Sequence, residues 1–293
     1  MISLRDCLTT EIPQYAEDVI RAALRTDMGE SLVWIVVEDN DDVNLYERLF
    51  LDTTTRVLNS ADRNPKSEYG VLKGCEHVER IVTAILNDYI HARVCGIRDT
   101  DYTRFLALYS CPQAIFHTEQ RDMEMMLIAA DSVKEALCQW NKKFQERIEK
   151  CAETIRQLGY IRIYNDVTYL GVRIENVVKS QDIWDQNSHT VKEGWYDAAI
   201  SRLVTKQDTA SKENLQNLIQ ELRLEELPYE NICQGHDFIG LLQLMMIQNH
   251  IYSYEAIMNK MIESYSVDDL RQTTLYRRLE AWRVENKWPL IFR

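Results

Sequence analysis

The chain has 293 residues, 45% of them hydrophobic and 27% charged, with a net charge of −12. That is room for one large or two smaller domains of ordinary globular composition. The negative balance argues against a protein that coats nucleic acid with a broad basic surface, although clustered catalytic carboxylates also count toward such a total.

No apolar run is long enough to span a bilayer. MISLRDCLTTEIPQY lacks signal-peptide architecture, so a cytoplasmic location without membrane contact is expected. Cysteines at 7, 75, 95, 111, 138, 151 and 233 form no C-x-x-C pair. Zinc ribbons and redox dithiols are therefore disfavoured against reduced thiols, and Cys95 reads as core.

In chain order, Asp18–Arg25 reads as a helix with Val19, Ala22 and Ala23 on one side, broken at Asp27-Met28-Gly29-Glu30. Leu32–Val37 is an unbroken apolar run rich in β-branched residues, the pattern of a strand covered on both faces in a parallel sheet. It ends in Glu38, Asp39, Asn40, Asp41 and Asp42. Carboxylates thus gather at the strand's carboxyl end, where open α/β sheets bind ligands. A helix follows, with Val43, Tyr46, Leu49 and Phe50 at helical spacing and Asn40 or Asp41 as its cap.

Thr53–Leu58 reads as a second strand and Ser60–Gly70 as loop. From Leu72 the spacing predicts a helix with Val78, Ile81, Val82, Ile85, Leu86 and Tyr89 as its core-facing stripe. Arg93–Ile97 reads as a third strand, ending in Arg98-Asp99-Thr100-Asp101. Gln113–His117 reads as a fourth, before a helix that buries Met123, Met126, Leu127 and Ala130. Strands alternating with helices imply an α/β fold: a small Rossmann-like parallel sheet with crossover helices.

From residue 131 the pattern turns mostly helical, which divides the chain into 1–130 and 131–293. Asp131–Leu158 reads as helix throughout, and so do Asn214–Leu224, Asp237–Asn249, Tyr254–Tyr265 and Leu270–Val284. Tyr160–Ile174 is rich in β-formers and reads as strand, with Asn165-Asp166 as a hairpin turn. The basic residues Arg271, Arg277, Arg278, Arg283, Lys287 and Arg293 suit either phosphate contact or a solvated helix face of mixed charge.

Asp99 and Asp101 sit at i and i+2. If the strand persists they share a face, and two carboxylates so close repel unless a cation joins them. Together with Glu38 they form a candidate metal site carried by separate strands; singly, each also fits a solvated strand end. After the fourth strand, Thr118, Asp122 and Glu124 place polar groups at the same edge. Glu124 points off the apolar stripe and serves as a further ligand or as a first-turn acid favoured by the helix dipole. Gly235-His236-Asp237 opens a late helix, either as cap and bend or by bringing His236 or Asp237 near the acidic edge. No Walker motif, nucleophile elbow or motif-placed nucleophilic cysteine is present, which argues against intrinsic ATP use and serine or cysteine catalysis.

These residues resemble the Toprim superfamily, the metal-dependent domain of topoisomerases, primases and overcoming-lysogenization-defect nucleases. That family carries Glu after its first strand, here Val36-Val37-Glu38, and D-x-D after its third, here Asp99-Thr100-Asp101. More narrowly, the chain resembles the Toprim-like bacterial family that includes the effector nuclease of the PARIS anti-phage system. Matching motifs are Val37-Glu38 with Asp41 or Asp42, Thr118…Asp122…Glu124, and Gly235-His236-Asp237. One departure is Asp39, where the family pattern VEG has glycine.

The resemblance implies Mg²⁺ or Mn²⁺ held by Glu38, Asp99 and Asp101 with Glu124, and Glu38 as general acid/base. Asp42, Thr118, Asp122, His236 and Asp237 would contact substrate or support the site. It further implies a nuclease effector of anti-phage defence that acts on DNA or RNA, tRNA among them, as a homodimer held in check by an ATPase partner subunit. Two alternatives stand beside it. Asp99-Thr100-Asp101-Tyr102-Thr103 fits the D-x-D-x-T of haloacid-dehalogenase-like phosphatases, with Asp99 as nucleophile. A Toprim-like interaction subunit would use the same acids only at an interface.

Overall fold

A computed structural model describes residues 15–60, 74–106, 111–207, 209–246 and 251–293. In chain order the elements begin with α1 (Tyr15–Ala23), α2 (Asp27–Ser31), β1 (Val33–Val37), α3 (Asn40–Leu49), β2 (Thr55–Asn59), α4 (Gly74–Asp88) and β3 (Val94–Arg98). They continue with β4 (Ile115–His117), α5 (Met123–Ala129), α6 (Asp131–Trp140), α7 (Lys143–Val167), α8 (Ser180–Ile183), β5 (Trp184–Asp185) and β6 (Thr190–Val191). The last are α9 (Trp195–Lys206), α10 (Lys212–Glu221), α11 (Gly235–Met245), α12 (Tyr254–Ser264), α13 (Val267–Arg271) and α14 (Thr274–Glu285). The protein is α/β, with a four-stranded parallel sheet in the order β2-β1-β3-β4 and a helical C-terminal half.

The chain forms two compact units that are not consecutive halves. Where the sequence reading placed one boundary near residue 131, the sheet unit comprises 1–99, 110–119 and 266–293, and the helical unit 100–109 and 120–265.

In the sheet unit every residue of β1 and β3 is buried, as expected of strands covered on both faces. The α4 stripe is as the spacing requires, with Val78, Ile81, Val82 and Ile85 in the core. Gly96 explains how closely α4 lies on β3. A Cβ there would stand 2.5 Å from Val78 Cγ1 and 2.8 Å from Ile115 Cδ1. Gly96→Ala is therefore expected to lose about 1–3 kcal/mol of stability through overpacking, measured by urea unfolding. The chain's end belongs to this unit: Phe292 pairs with Phe50, and the Arg293 Nε–H donates to the Phe50 carbonyl (2.9 Å). Cys95 is core as expected, and burial pushes its thiol up to about 12. The loop read over Ser60–Gly70 lies, beyond Ser60, outside the described residues.

The helical unit is arranged around α7, against which α6, α10 and α11 pack. Here the strand and hairpin read over Tyr160–Ile174 are corrected: α7 runs unbroken through Asn165-Asp166 to Val167. Its buried residues, among them Ile155, Leu158, Tyr160, Ile161, Ile163 and Tyr164, occupy most of the helix circumference. A helix buried on most sides has no clean apolar stripe, so its β-branched and aromatic residues mimic a strand. Asn165 does shape a reversal, but after the helix: its Oδ1 accepts the Val172 N–H (3.0 Å) and its carbonyl the Leu170 N–H (2.9 Å).

Two further helices are split where a polar side chain takes over the backbone. Asn141 ends α6, and its Oδ1 accepts the Lys143 N–H (3.0 Å). Thr273 separates α13 from α14 by capping the latter through the Tyr276 N–H (3.1 Å). Asp27–Ser31, read as a break, is a short helix capped by Thr26. No helix among the described residues is long and apolar enough to cross a membrane.

Candidate functional site

In the sheet unit, β1 and β3 are neighbours with Val36 opposite Gly96, so their carboxyl ends stop side by side. Glu38 follows β1 and is half-buried. Its Oε1 accepts the backbone N–H of Asp99 at 2.9 Å, which ties the end of one strand to the end of the next. Two of the expected ligand residues are thus brought together within this unit.

The helix cap next door is Asp39, in place of the Asn40 or Asp41 read from the sequence. Asp39 is extended (φ −144°), and its side chain accepts from the N–H groups of Asp41 (2.8 Å) and Asp42 (3.2 Å). The Asp42 carboxylate accepts the Asp39 N–H in return (3.2 Å), completing a capping box. Asp39 therefore has a use of its own at the position where the resembling family carries glycine, and its φ requires none. Asp42 is buried. Burial first, then the charges of Asp39 and Glu38, push its carboxyl well above the usual carboxylate range. It braces the strand–helix junction.

Thr118 is buried, and its N–H donates to the Arg98 carbonyl (3.0 Å). Arg98 pairs with Glu79, and its Nε–H reaches the Asp99 carbonyl (3.1 Å). Glu119 holds the start of α14, accepting the Thr274 N–H (2.6 Å) and hydroxyl (3.1 Å). The basic tail is largely engaged within its unit: Arg271 pairs with Asp268 (2.7 Å), Arg283 with Glu280, and Arg278 lies over the Phe116 ring (5.9 Å).

In the helical unit two distant motifs meet. Asp122 caps α5 by accepting the Met125 N–H (3.0 Å), and its other oxygen accepts the Gly235 N–H at the start of α11 (2.8 Å). Position 235 admits only glycine sterically, since a Cβ would stand 2.3 Å from Glu124 Cβ and 2.8 Å from Asp122 Oδ1. The Glu124 carboxylate lies 3.5 Å from His236 Nδ1 and 3.4 Å from the Tyr254 hydroxyl, and His236 and Tyr254 are hydrogen-bonded to each other. Asp237 accepts both Nε–H (2.6 Å) and Nη2–H (3.0 Å) of Arg162.

Asp101, of the D-x-D pair, also lies in this unit. Its N–H donates to the Arg121 carbonyl (2.7 Å), and its carboxylate is 3.9 Å from the Arg121 guanidinium. Arg121 is buried, 3.5 Å from Asp122 and 4.0 Å above the Tyr102 ring. Burial works against the Arg121 charge, but Tyr102, Asp122 and Asp101 outweigh it and raise its pKa. Burial pushes the Asp122 carboxyl up against the pull of Arg121 and two N–H donors.

Arg121, Tyr102, Arg162 and Tyr254 escape the sequence reading. One signal for Arg121 was present: a cation just before a helix start opposes the helix dipole, so another partner must hold it. Among the described residues, no group of three or more His, Cys, Asp or Glu stands where it could hold one metal ion. No family model matches the chain, and no curated protein is significantly similar to it.

Proposed function

We propose that the chain is a divalent-metal-dependent nuclease of Toprim-like architecture. In this reading it is the effector of an anti-phage defence system, controlled by an ATPase partner, active as a homodimer, with tRNA among its substrates. The observation that carries the reading is the Glu38–Asp99 hydrogen bond, which sets two acidic residues at the carboxyl ends of adjacent parallel strands.

The donor chemistry fits the metal. Mg²⁺ takes hard oxygens, keeps several waters and is held by as few as one or two carboxylates, here those of Glu38 and Asp99. Asp101 and Glu124, the other ligands of this reading, belong to the helical unit. When bound, the ion supplies charge stabilisation at phosphoryl oxygens and an acidified water. Glu38, oriented through the Asp99 N–H, is the proton-transfer candidate at that edge. Asp39 and Asp42 fix the backbone that presents it.

The test is thermal. Mg²⁺ or Mn²⁺ at a hundredfold excess over its dissociation constant is expected to stabilise the wild type by about 2.7 kcal/mol, the mass-action value for a ligand of the folded state. The gain should vanish in an Asp99→Ala/Asp101→Ala double variant. Equal gains in both proteins would overturn the site.

A further inference from the structure

We infer that Arg121 is the positioning residue for Asp101, and that Asp122 and the start of α11 hold Arg121 in place. The inference rests on the reading of Asp101 as a metal-binding carboxylate. Asp101 has φ 46°, in the left-handed region that is uncommon for a residue with a Cβ, though less so for Asp than for most. Arg121 holds it twice, by the carbonyl that accepts its N–H (2.7 Å) and by the guanidinium 3.9 Å from its carboxylate.

Arg121 is itself fixed on two sides. Tyr102, the residue after Asp101, offers its ring as a floor 4.0 Å below the guanidinium. Asp122 stands 3.5 Å away and is locked by the N–H groups of Met125 and Gly235. Asp122 also balances the Arg121 charge, so the Asp101 charge stays available to a cation. Lysine would supply the charge without the planar face that lies on Tyr102. The Gly-His-Asp motif thereby acquires a role at a distance: through Gly235 and Asp122 it anchors the arginine that sets Asp101.

Amide hydrogen exchange by NMR and Mn²⁺ titration test this on the full chain, comparing wild type with Arg121→Lys, Tyr102→Leu and Asp101→Asn. In Arg121→Lys the Asp101 amide is expected to exchange at least tenfold faster while β1 amides keep their rates, and the Mn²⁺ dissociation constant to rise at least tenfold. Tyr102→Leu should move both in the same direction by less, and it decides the matter alone if Arg121→Lys does not fold. Unchanged Asp101 exchange in a folded variant overturns the positioning role whatever the metal does. Unchanged Mn²⁺ affinity in Asp101→Asn overturns the metal-binding premise instead.

Discussion

Glu38→Gln is expected to lower nucleic-acid cleavage by roughly two orders of magnitude or more, the usual scale for losing a general acid/base, while the melting temperature stays near wild type. The fold should survive because the amide keeps the bond that orients the side chain: a glutamine Oε1 accepts the Asp99 N–H as the carboxylate does at 2.9 Å. The strand before it is buried along its whole length, so its position does not depend on the charge at its end. Removing that charge also relieves repulsion with Asp42, whose carboxyl is pushed up by burial and by the charges of Asp39 and Glu38. The assay compares cleavage rate and melting temperature of one variant, with the exposed Asp52→Asn as surface control. Full activity in Glu38→Gln would mean that the acidic strand ends are structural, and would favour the interaction-subunit reading.

The parallel sheet was legible because its central strands β1 and β3 are mostly apolar runs buried along their whole length, without polar alternation. Helix α4 was legible for the opposite reason: only one face is covered, and the stripe shows it. Helix α7 was not, because burial round most of its surface erases the period that would mark it, leaving β-prone residues such as Ile161, Ile163 and Tyr164 to mislead. Glu38 and Asp99 could be read as candidates because each directly follows such a strand. Arg121 and Arg162 could not, since the residues they pair with are chosen by packing. Arg162 sits in the misread part of α7, where its hold on Asp237 has no local signature.

Asp122→Ala is expected to remove about 3–5 kcal/mol of stability, the scale for leaving a buried charge without its partner. Three losses coincide. The α5 cap at the Met125 N–H disappears, by itself about 1 kcal/mol. The Gly235 N–H, bonded to Asp122 at 2.8 Å, is left buried without that acceptor. Arg121, buried and 3.5 Å from Asp122, loses its nearest carboxylate and is left with Asp101 at 3.9 Å and the charge of Asp237. Asp122→Asn separates these effects, because an amide oxygen still accepts one N–H while the charge is gone; its loss should fall between alanine and wild type. Urea unfolding followed by far-ultraviolet circular dichroism gives the free energies. Since a domain's whole stability is of order 5–15 kcal/mol, the alanine variant should unfold at a markedly lower urea concentration than the wild type. A loss below about 1 kcal/mol in Asp122→Ala would show that Asp122 does not bind α11 and Arg121 in solution, and the anchoring of Asp101 would fall with it.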